Sequence, residues 1–319
     1  MFQELTIDLQ RPPADRWHLT PTQCQQAREL LTSYKADLGL PQDVAGFLSA
    51  AAKDLVRPDH WSEMESLANA LDLPIADVAL CNFYYDALKV VLGCTAFAVD
   101  ADDAILHARN LDWWTDNAAL ARYTTVCHFI GGPVGRFTTI GWPGFVGAFS
   151  GIAPGRFAVT LNAVLSREPA QPATPVVLLL RTVLEEARSF DEAAAILSDA
   201  SLPCDCLLLL TGTRSGEMVV IERTPSRHAV RPAHGGFVCV TNDYQSLNAD
   251  PGGATSELLA TSCGRFQRVE ALLRNERPAD PEHCFTYLSD PAVQIQITVQ
   301  QMVFRAATGE FWIRRPRAG

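Results

Sequence analysis

Three side chains stand at spacings that could do chemistry. Cys94 opens a strand-like run, Gly93-Cys94-Thr95-Ala96-Phe97-Ala98-Val99-Asp100, and a second run, Ile105-Leu106-His107-Ala108-Arg109-Asn110-Leu111-Asp112, follows it. The acidic turn Ala101-Asp102-Asp103 between them predicts a hairpin. A hairpin returns the end of its second strand to the start of its first, so Cys94, Arg109 and Asp112 are expected to converge. A thiol beside a guanidinium and a carboxylate is a nucleophile whose thiolate is favoured.

Such a nucleophile needs a base. The chain has seven histidines, and none lies in a local pattern that identifies it as the partner of Cys94. His107 alternates with Arg109 and is read as a satisfied strand residue sharing its face. The other solution is the nucleophile's own α-amine, whose pKa of about 7.7–8 sits near working pH. That solution requires the Gly93–Cys94 bond to break. Gly93 offers little steric obstacle to attack by the Cys94 thiol on the preceding carbonyl, the first step of an N-to-S acyl shift.

The elements that must position these groups change character at Gly93. From Pro21 to about Leu88 the pattern is helical, with apolar sets such as Ala27, Leu30, Leu31 and Tyr34, or Met64, Leu67, Ala68 and Leu71. A helix is also predicted from Pro41 through Ala51, and a strand at Leu5–Leu9. From Cys94 the period becomes two. Strands are predicted over 94–100, 104–110, 122–130, 136–141, 145–150 and 156–163, then helices over 174–188 and 190–199. Strands over 206–211, 217–222, 227–231 and 236–241 follow, then helices over 256–273 and 281–289. The last strands are read at 293–299, 301–306 and 310–314. Two antiparallel sheets covered by helices on both outer faces satisfy this order.

Composition excludes several classes. Hydrophobic residues make up 48% of the 319, enough for a sizeable core, and the net charge of −10 leaves no nucleic-acid footprint. Val176-Val177-Leu178-Leu179-Leu180, closed by Arg181, is too short to span a bilayer. Met1-Phe2-Gln3-Glu4-Leu5 lacks a basic stretch before an apolar run, which points to a cytoplasmic protein. The nine cysteines are scattered in apolar surroundings, and Cys204-Asp205-Cys206 has no partner pair, so buried thiols rather than a metal site are expected. No cofactor is implied.

Cys94-Thr95 with Asp100, then His107-Ala108-Arg109-Asn110-Leu111-Asp112, resembles the acid ceramidase and N-acylethanolamine acid amidase group. These are N-terminal-nucleophile hydrolases related to choloylglycine (bile-salt) hydrolase and penicillin V acylase. The likeness extends over Ile7 to Trp17, Glu63 to Leu71 and Asn82-Phe83-Tyr84-Tyr85. It continues through Trp142 to Gly147, Ser150 to Gly155, Val159 to Asn162 and Val240-Thr241-Asn242-Asp243-Tyr244. Two departures stand out: one residue fewer between nucleophile and arginine, which the hairpin tip can absorb, and no secretory leader like that of the lysosomal members. The second points to a bacterial chain for which acid activation is not assumed.

The resemblance implies an α+β, four-layer αββα sandwich. Residues 1–93 would form a mainly helical prosegment and 94–319 the catalytic domain, the two staying associated after cleavage. It implies Cys94 as nucleophile, Arg109 beside the thiolate, Asp112 holding the α-amine and Asn242 donating to the oxyanion, with Asn162 near it. Arg265 would be the late active-site arginine, with Arg268, one turn on, as the alternative. Trp113, Trp114, Trp142, Phe145, Phe149 and Ile152 are candidates to line an apolar cleft. The implied function is hydrolysis of linear N-acyl amides with an apolar acyl chain, a small-molecule partner reached at a membrane surface where it is a lipid. The alternatives are acylase or acyltransferase action on β-lactams, bile-salt conjugates or acyl-homoserine lactones, and a non-catalytic binding protein of the same fold.

Overall fold

The computed structural model describes residues 2–38, 52–88, 92–101, 104–113, 118–250 and 257–316. The helix expected from Pro41, the hairpin tip at Asp102-Asp103 and Trp114 lie outside these residues.

The chain begins with β1 (Gln3–Asp8), then α1 (Pro21–Leu38), α2 (Pro58–Leu71), α3 (Ile75–Asn82) and α4 (Tyr84–Leu88). Met64, Leu67, Ala68 and Leu71 form the buried face of α2, as their spacing requires. The hairpin is β2 (Leu92–Ala101) and β3 (Ala104–Trp113), with Gly93 opposite Asp112, Cys94 opposite Leu111 and Ala96 opposite Arg109. The short α5 (Ala119–Arg122) leads to β4 (Thr125–Ile130), β5 (Phe137–Gly141), β6 (Ser150–Ala153) and β7 (Phe157–Asn162). Helices α6 (Val176–Glu186) and α7 (Phe190–Asp199) precede β8 (Cys206–Thr211), β9 (Met218–Arg223), β10 (His228–Pro232) and β11 (Phe237–Val240). The chain closes with α8 (Glu257–Asn275), α9 (Pro281–Leu288), β12 (Thr298–Arg305) and β13 (Glu310–Arg314). Among the described residues, no helix is long and apolar enough to cross a membrane.

The strands form an eight-stranded sheet, β1-β4-β5-β6-β7-β8-β9-β10, and a five-stranded sheet, β11-β2-β3-β12-β13. All pairings are antiparallel except β1 with β4. Alternation along each strand sorts side chains into layers. Ala96, Ala98 and Ile105 meet Leu207, Leu209 and Val220 between the sheets. Phe97, Val99 and Leu106 point the other way, onto Val269 and Leu273 of α8 and Phe285 and Leu288 of α9. Leu208 and Leu210 turn outward to the cluster holding Leu180, Val183 and Leu184 of α6. The result is the expected αββα sandwich.

Two predicted strands are not strands. Within 145–150, Val146 and Ala148 bond side chains and a helix, and the Phe149 carbonyl accepts from Leu161 N–H of β7 at 2.9 Å just before β6 begins at Ser150. Val146 N–H donates to Asn82 Oδ1 at 2.7 Å, Arg181 Nη1 donates to the Val146 carbonyl at 2.9 Å, and Ala148 N–H donates to the Val177 carbonyl at 2.9 Å. Residues 293–297 curl into turns, with Val293 and Gln294 N–H both donating to the Asp290 carbonyl. Only from Thr298 does the chain extend.

Candidate active site

β2 presents Cys94 to the inter-sheet face, and β3 presents Arg109 to the same face. Arg109 Nη2 donates to Cys94 Sγ at 3.2 Å. The guanidinium is anchored by the carbonyls of Phe149 (2.7 Å) and Leu161 and by the Ser150 hydroxyl, all on the opposite sheet. Thiol and guanidinium are both fully buried. The planar fork of arginine suits this set of acceptors, which fix it against the sulfur.

Asp112 stands opposite Gly93, the neighbour of Cys94. Residues 109 and 112 differ in parity, so their side chains leave β3 on opposite faces. Arg109 thus shares the face of the Cys94 thiol, and Asp112 lies on the helix-covered face. On the helix-covered side, Arg265 of α8 donates from Nη1 to the Cys94 carbonyl at 2.6 Å and to Thr95 Oγ1 at 2.9 Å. Its Nη2 donates to Asn242 Oδ1 at 2.7 Å, and Asp112 Oδ2 lies 3.9 Å from Nη1. Arg268, by contrast, is exposed and paired with Asp290 at 3.0 Å. Asp112 Oδ1 accepts from the Thr298 hydroxyl at 2.6 Å.

Asn242 follows β11. Its Oδ1 accepts from Cys94 N–H at 3.1 Å, while Nδ2 donates to the Ala163 carbonyl at 2.8 Å. In the intact chain it thus presents an acceptor to the nucleophile's nitrogen, where the resemblance led us to expect a donor aimed at an oxyanion. Asn162 Nδ2 donates to the carbonyls of Val240 (3.3 Å) and Thr241 (2.9 Å), holding the stretch that carries Asn242.

His107 shares the thiol face, but its two ring nitrogens bond Thr211 Oγ1 (3.1 Å) and Thr160 Oγ1 (2.9 Å). Burial, with Arg109 beside it, takes the imidazole pKa down to about 3. It stays neutral and engaged, as its sequence position suggested. Burial raises the Asp112 carboxyl, against the opposing pull of Arg265, Thr298 and Arg109. Burial likewise lowers the Arg265 pKa, with Asp112 pulling it back.

The aromatic residues gather at the open end of the hairpin. Trp113 stacks on Tyr34 of α1 (centroids 5.6 Å) and Tyr84 of α4 (5.4 Å), and meets Trp142 (5.5 Å) and Phe149 (5.3 Å) edge-on. Phe145 stacks on Phe149 at 5.2 Å. Ile152 does not join them; it packs between the sheets with Met302 and Phe304.

Among the described residues, four buried polar atoms of this set have no hydrogen-bond partner: Arg109 Nε, Asp112 Oδ2, Trp113 Nε1 and Asn162 Oδ1. Buried atoms left so are uncommon in folded proteins, and these are where further groups could bond. Among the described residues, no cluster of three or more His, Cys, Asp or Glu could hold a metal ion. Sequence reasoning missed Thr95, Ser150, Ser262 and Thr298. Ser262 Oγ accepts from Asn242 N–H at 2.9 Å. Hydroxyls of this kind carry no spacing signal.

The family model described as acyl-coenzyme A:6-aminopenicillanic acid acyl-transferase matches residues 99–303, more than half of the chain. Acid ceramidase of Balaenoptera acutorostrata scammoni is 25% identical over 249 residues, covering 68% of this chain and 62% of that protein. This chain thus spans less than two thirds of that relative. The N-acylethanolamine-hydrolyzing acid amidase of Cavia porcellus is 27% identical over 294 residues, covering 86% and 78%. Among solved structures, the Caenorhabditis elegans ortholog of that amidase superposes with a TM-score of 0.55 at 23% identity, covering 69% of this chain and all of that one.

Proposed function

Because the chain belongs to the acyl-coenzyme A:6-aminopenicillanic acid acyl-transferase family, we propose that it is a self-processing cysteine amidase that hydrolyses linear N-acyl amides. The observation that carries this reading is the double hold on Cys94. Arg109 stands against the sulfur, while Arg265 and Asn242 grip the backbone carbonyl and nitrogen of the same residue. A structural cysteine needs neither.

In processing, Cys94 Sγ attacks the Gly93 carbonyl carbon. The Gly93–Cys94 C–N bond breaks as the nitrogen takes a proton, leaving a thioester. Water hydrolyses the thioester, giving a Gly93 carboxylate and a Cys94 with free thiol and α-amine. Residues 1–93 and 94–319 then stay together.

In turnover, the α-amine takes the thiol proton and the thiolate attacks the substrate's amide carbon. Backbone N–H groups hold the oxyanion, joined by the second Nδ2 hydrogen of Asn242, whose first is on the Ala163 carbonyl. The protonated amine gives its proton to the leaving nitrogen. Water, deprotonated by the same amine, releases the carboxylic acid and the thiol. Asp112 orients the amine, and the wall of Trp113, Trp142 and Phe145 suits an apolar acyl chain. Two relatives are named for ceramide and N-acylethanolamines, the substrates to try first. The family's own description favours a second reading, in which an amine rather than water accepts the acyl group.

Intact mass tests the reading. Wild type is expected as two fragments ending at Gly93 and beginning at Cys94, before or after acid incubation, and to hydrolyse N-acylethanolamines. Cys94→Ala is expected whole and inactive. Hydrolysis by Cys94→Ala, or a wild type whole under every pH and reductant condition, would overturn it. Adding an amine acceptor and looking for the transferred acyl amide separates the second reading.

A further inference from the structure

The bond that fixes Asp112 comes from a place where β12 breaks its own alternation. Gln300, Met302 and Phe304 stand opposite Leu111, Arg109 and His107, so even-numbered residues of β12 share the face of the Cys94 thiol. Thr298 has the same parity, yet it stands opposite Asp112, because the register shifts between Thr298 and Gln300. Val299 is the extra residue of a bulge, which re-aims a neighbouring side chain. Val299 joins the core that holds Leu111 and Trp113, while the Thr298 hydroxyl lies on Asp112 Oδ1 at 2.6 Å. Ile295 N–H donates to the same hydroxyl oxygen at 3.2 Å. With its oxygen accepting there, the hydroxyl spends its one proton on the carboxylate. Among the described residues, none makes a hydrogen bond to Asp112 Oδ2.

We propose that Thr298 is a positioning residue: its bulge-delivered hydroxyl ties Asp112 Oδ1 and leaves Oδ2 as the oxygen that receives the α-amine of Cys94. The inference rests on the self-processing reading. With Oδ1 tied, the carboxyl cannot turn about its Cβ–Cγ bond without losing the Thr298 bond. The amine it holds then keeps one orientation toward the thiol. A carboxyl free to turn would hold the base in several.

The test compares wild type, Thr298→Val and Thr298→Ser by intact mass and by kcat and KM on an N-acylethanolamine across pH. Thr298→Val is expected to lower kcat by about 100-fold, the scale of a misplaced catalytic group. It should leave KM unchanged and displace the pH midpoint of kcat that belongs to the α-amine. Thr298→Ser keeps the hydroxyl and is expected to recover most of the loss. Wild-type kcat in Thr298→Val overturns the proposal. So does a loss of about 100-fold in Thr298→Ser, measured against wild type, which decides the matter even if the valine variant does not fold. A wild type that is neither cut nor active overturns the reading beneath it, and the proposal with it.

Discussion

At the scale of single residues, the site depends on one guanidinium whose bonding is shared between structure and chemistry. Arg109 holds carbonyls of the facing sheet with the same fork that touches the Cys94 sulfur. Lysine keeps the charge but not the planar fork, so Arg109→Lys is expected to fold, to process slowly and to lose about 100-fold in kcat. Steady-state kinetics with intact mass checks this. His107 makes a different prediction. Its folded pKa is depressed to about 3 from 6.5, so its contribution to stability is present above pH 6.5 and is lost as pH falls toward 3. His107→Gln is expected to flatten the fall in urea midpoint between neutral and acid pH. If the slope is unchanged, His107 is not its source. The pairing of Cys94 with Arg109 was legible because a period-two run starting at a cysteine fixes which residues face which way. Asp112 was legible as part of the same hairpin, but its face was not, and its parity sets it opposite Gly93, away from Arg109. Proximity along a strand suggested convergence, and parity decided the direction. Asn242 was legible only through resemblance, since a lone Asn at a strand end is ordinary turn chemistry.

At the scale of elements, the helices before Gly93 are bonded into the sheets that follow. Glu63 of α2 accepts from Arg181 of α6 (3.1 and 3.2 Å), from Arg16 (2.9 Å) and from the Trp17 indole (2.7 Å), and neither Glu63 nor Arg181 is exposed. Removing one charge leaves its partner buried and unpaired. Glu63→Gln is therefore expected to cost about 3–5 kcal/mol of stability by urea unfolding. Asn82 of α3 grips the other side, with Oδ1 accepting from Val146 N–H and Nδ2 donating to the Gly144 carbonyl at 3.3 Å. Asp86 of α4 accepts from Val176 N–H at the start of α6 at 3.1 Å. These bonds explain why 145–150 reads as a strand although only Ser150 is in one. Val146 and Ala148 have strand-like spacing, but their backbone partners are Asn82, Arg181 and Val177, distant in sequence. Periodicity reports which side chains are buried, and here burial comes from helices rather than a neighbouring strand.

At the scale of the whole molecule, the layer order was legible because runs of alternating strands and amphipathic helices leave few ways to bury both sheets. The pairing of β1 was not, since a parallel partner far along the chain leaves no local signature. That pairing, with the Glu63 network and the Trp113 stack, predicts that residues 1–93 and 94–319 co-elute as one species on size exclusion after cleavage. They are expected to separate only in denaturant. Fragments that part in plain buffer would contradict this.

The pairing of Gln3 with Thr125 also has a meaning in time. Translation delivers β4 more than a hundred residues after β1, seconds later at about 5–20 residues per second. The hairpin that carries Cys94 is local and can close as soon as Trp113 is made, before any strand exists for β1 to join. A segment synthesised well before its partner is thus among the last to find its hydrogen bonds. A nascent chain stalled short of Thr125 would hold a finished nucleophile hairpin and a leading edge with nowhere to dock.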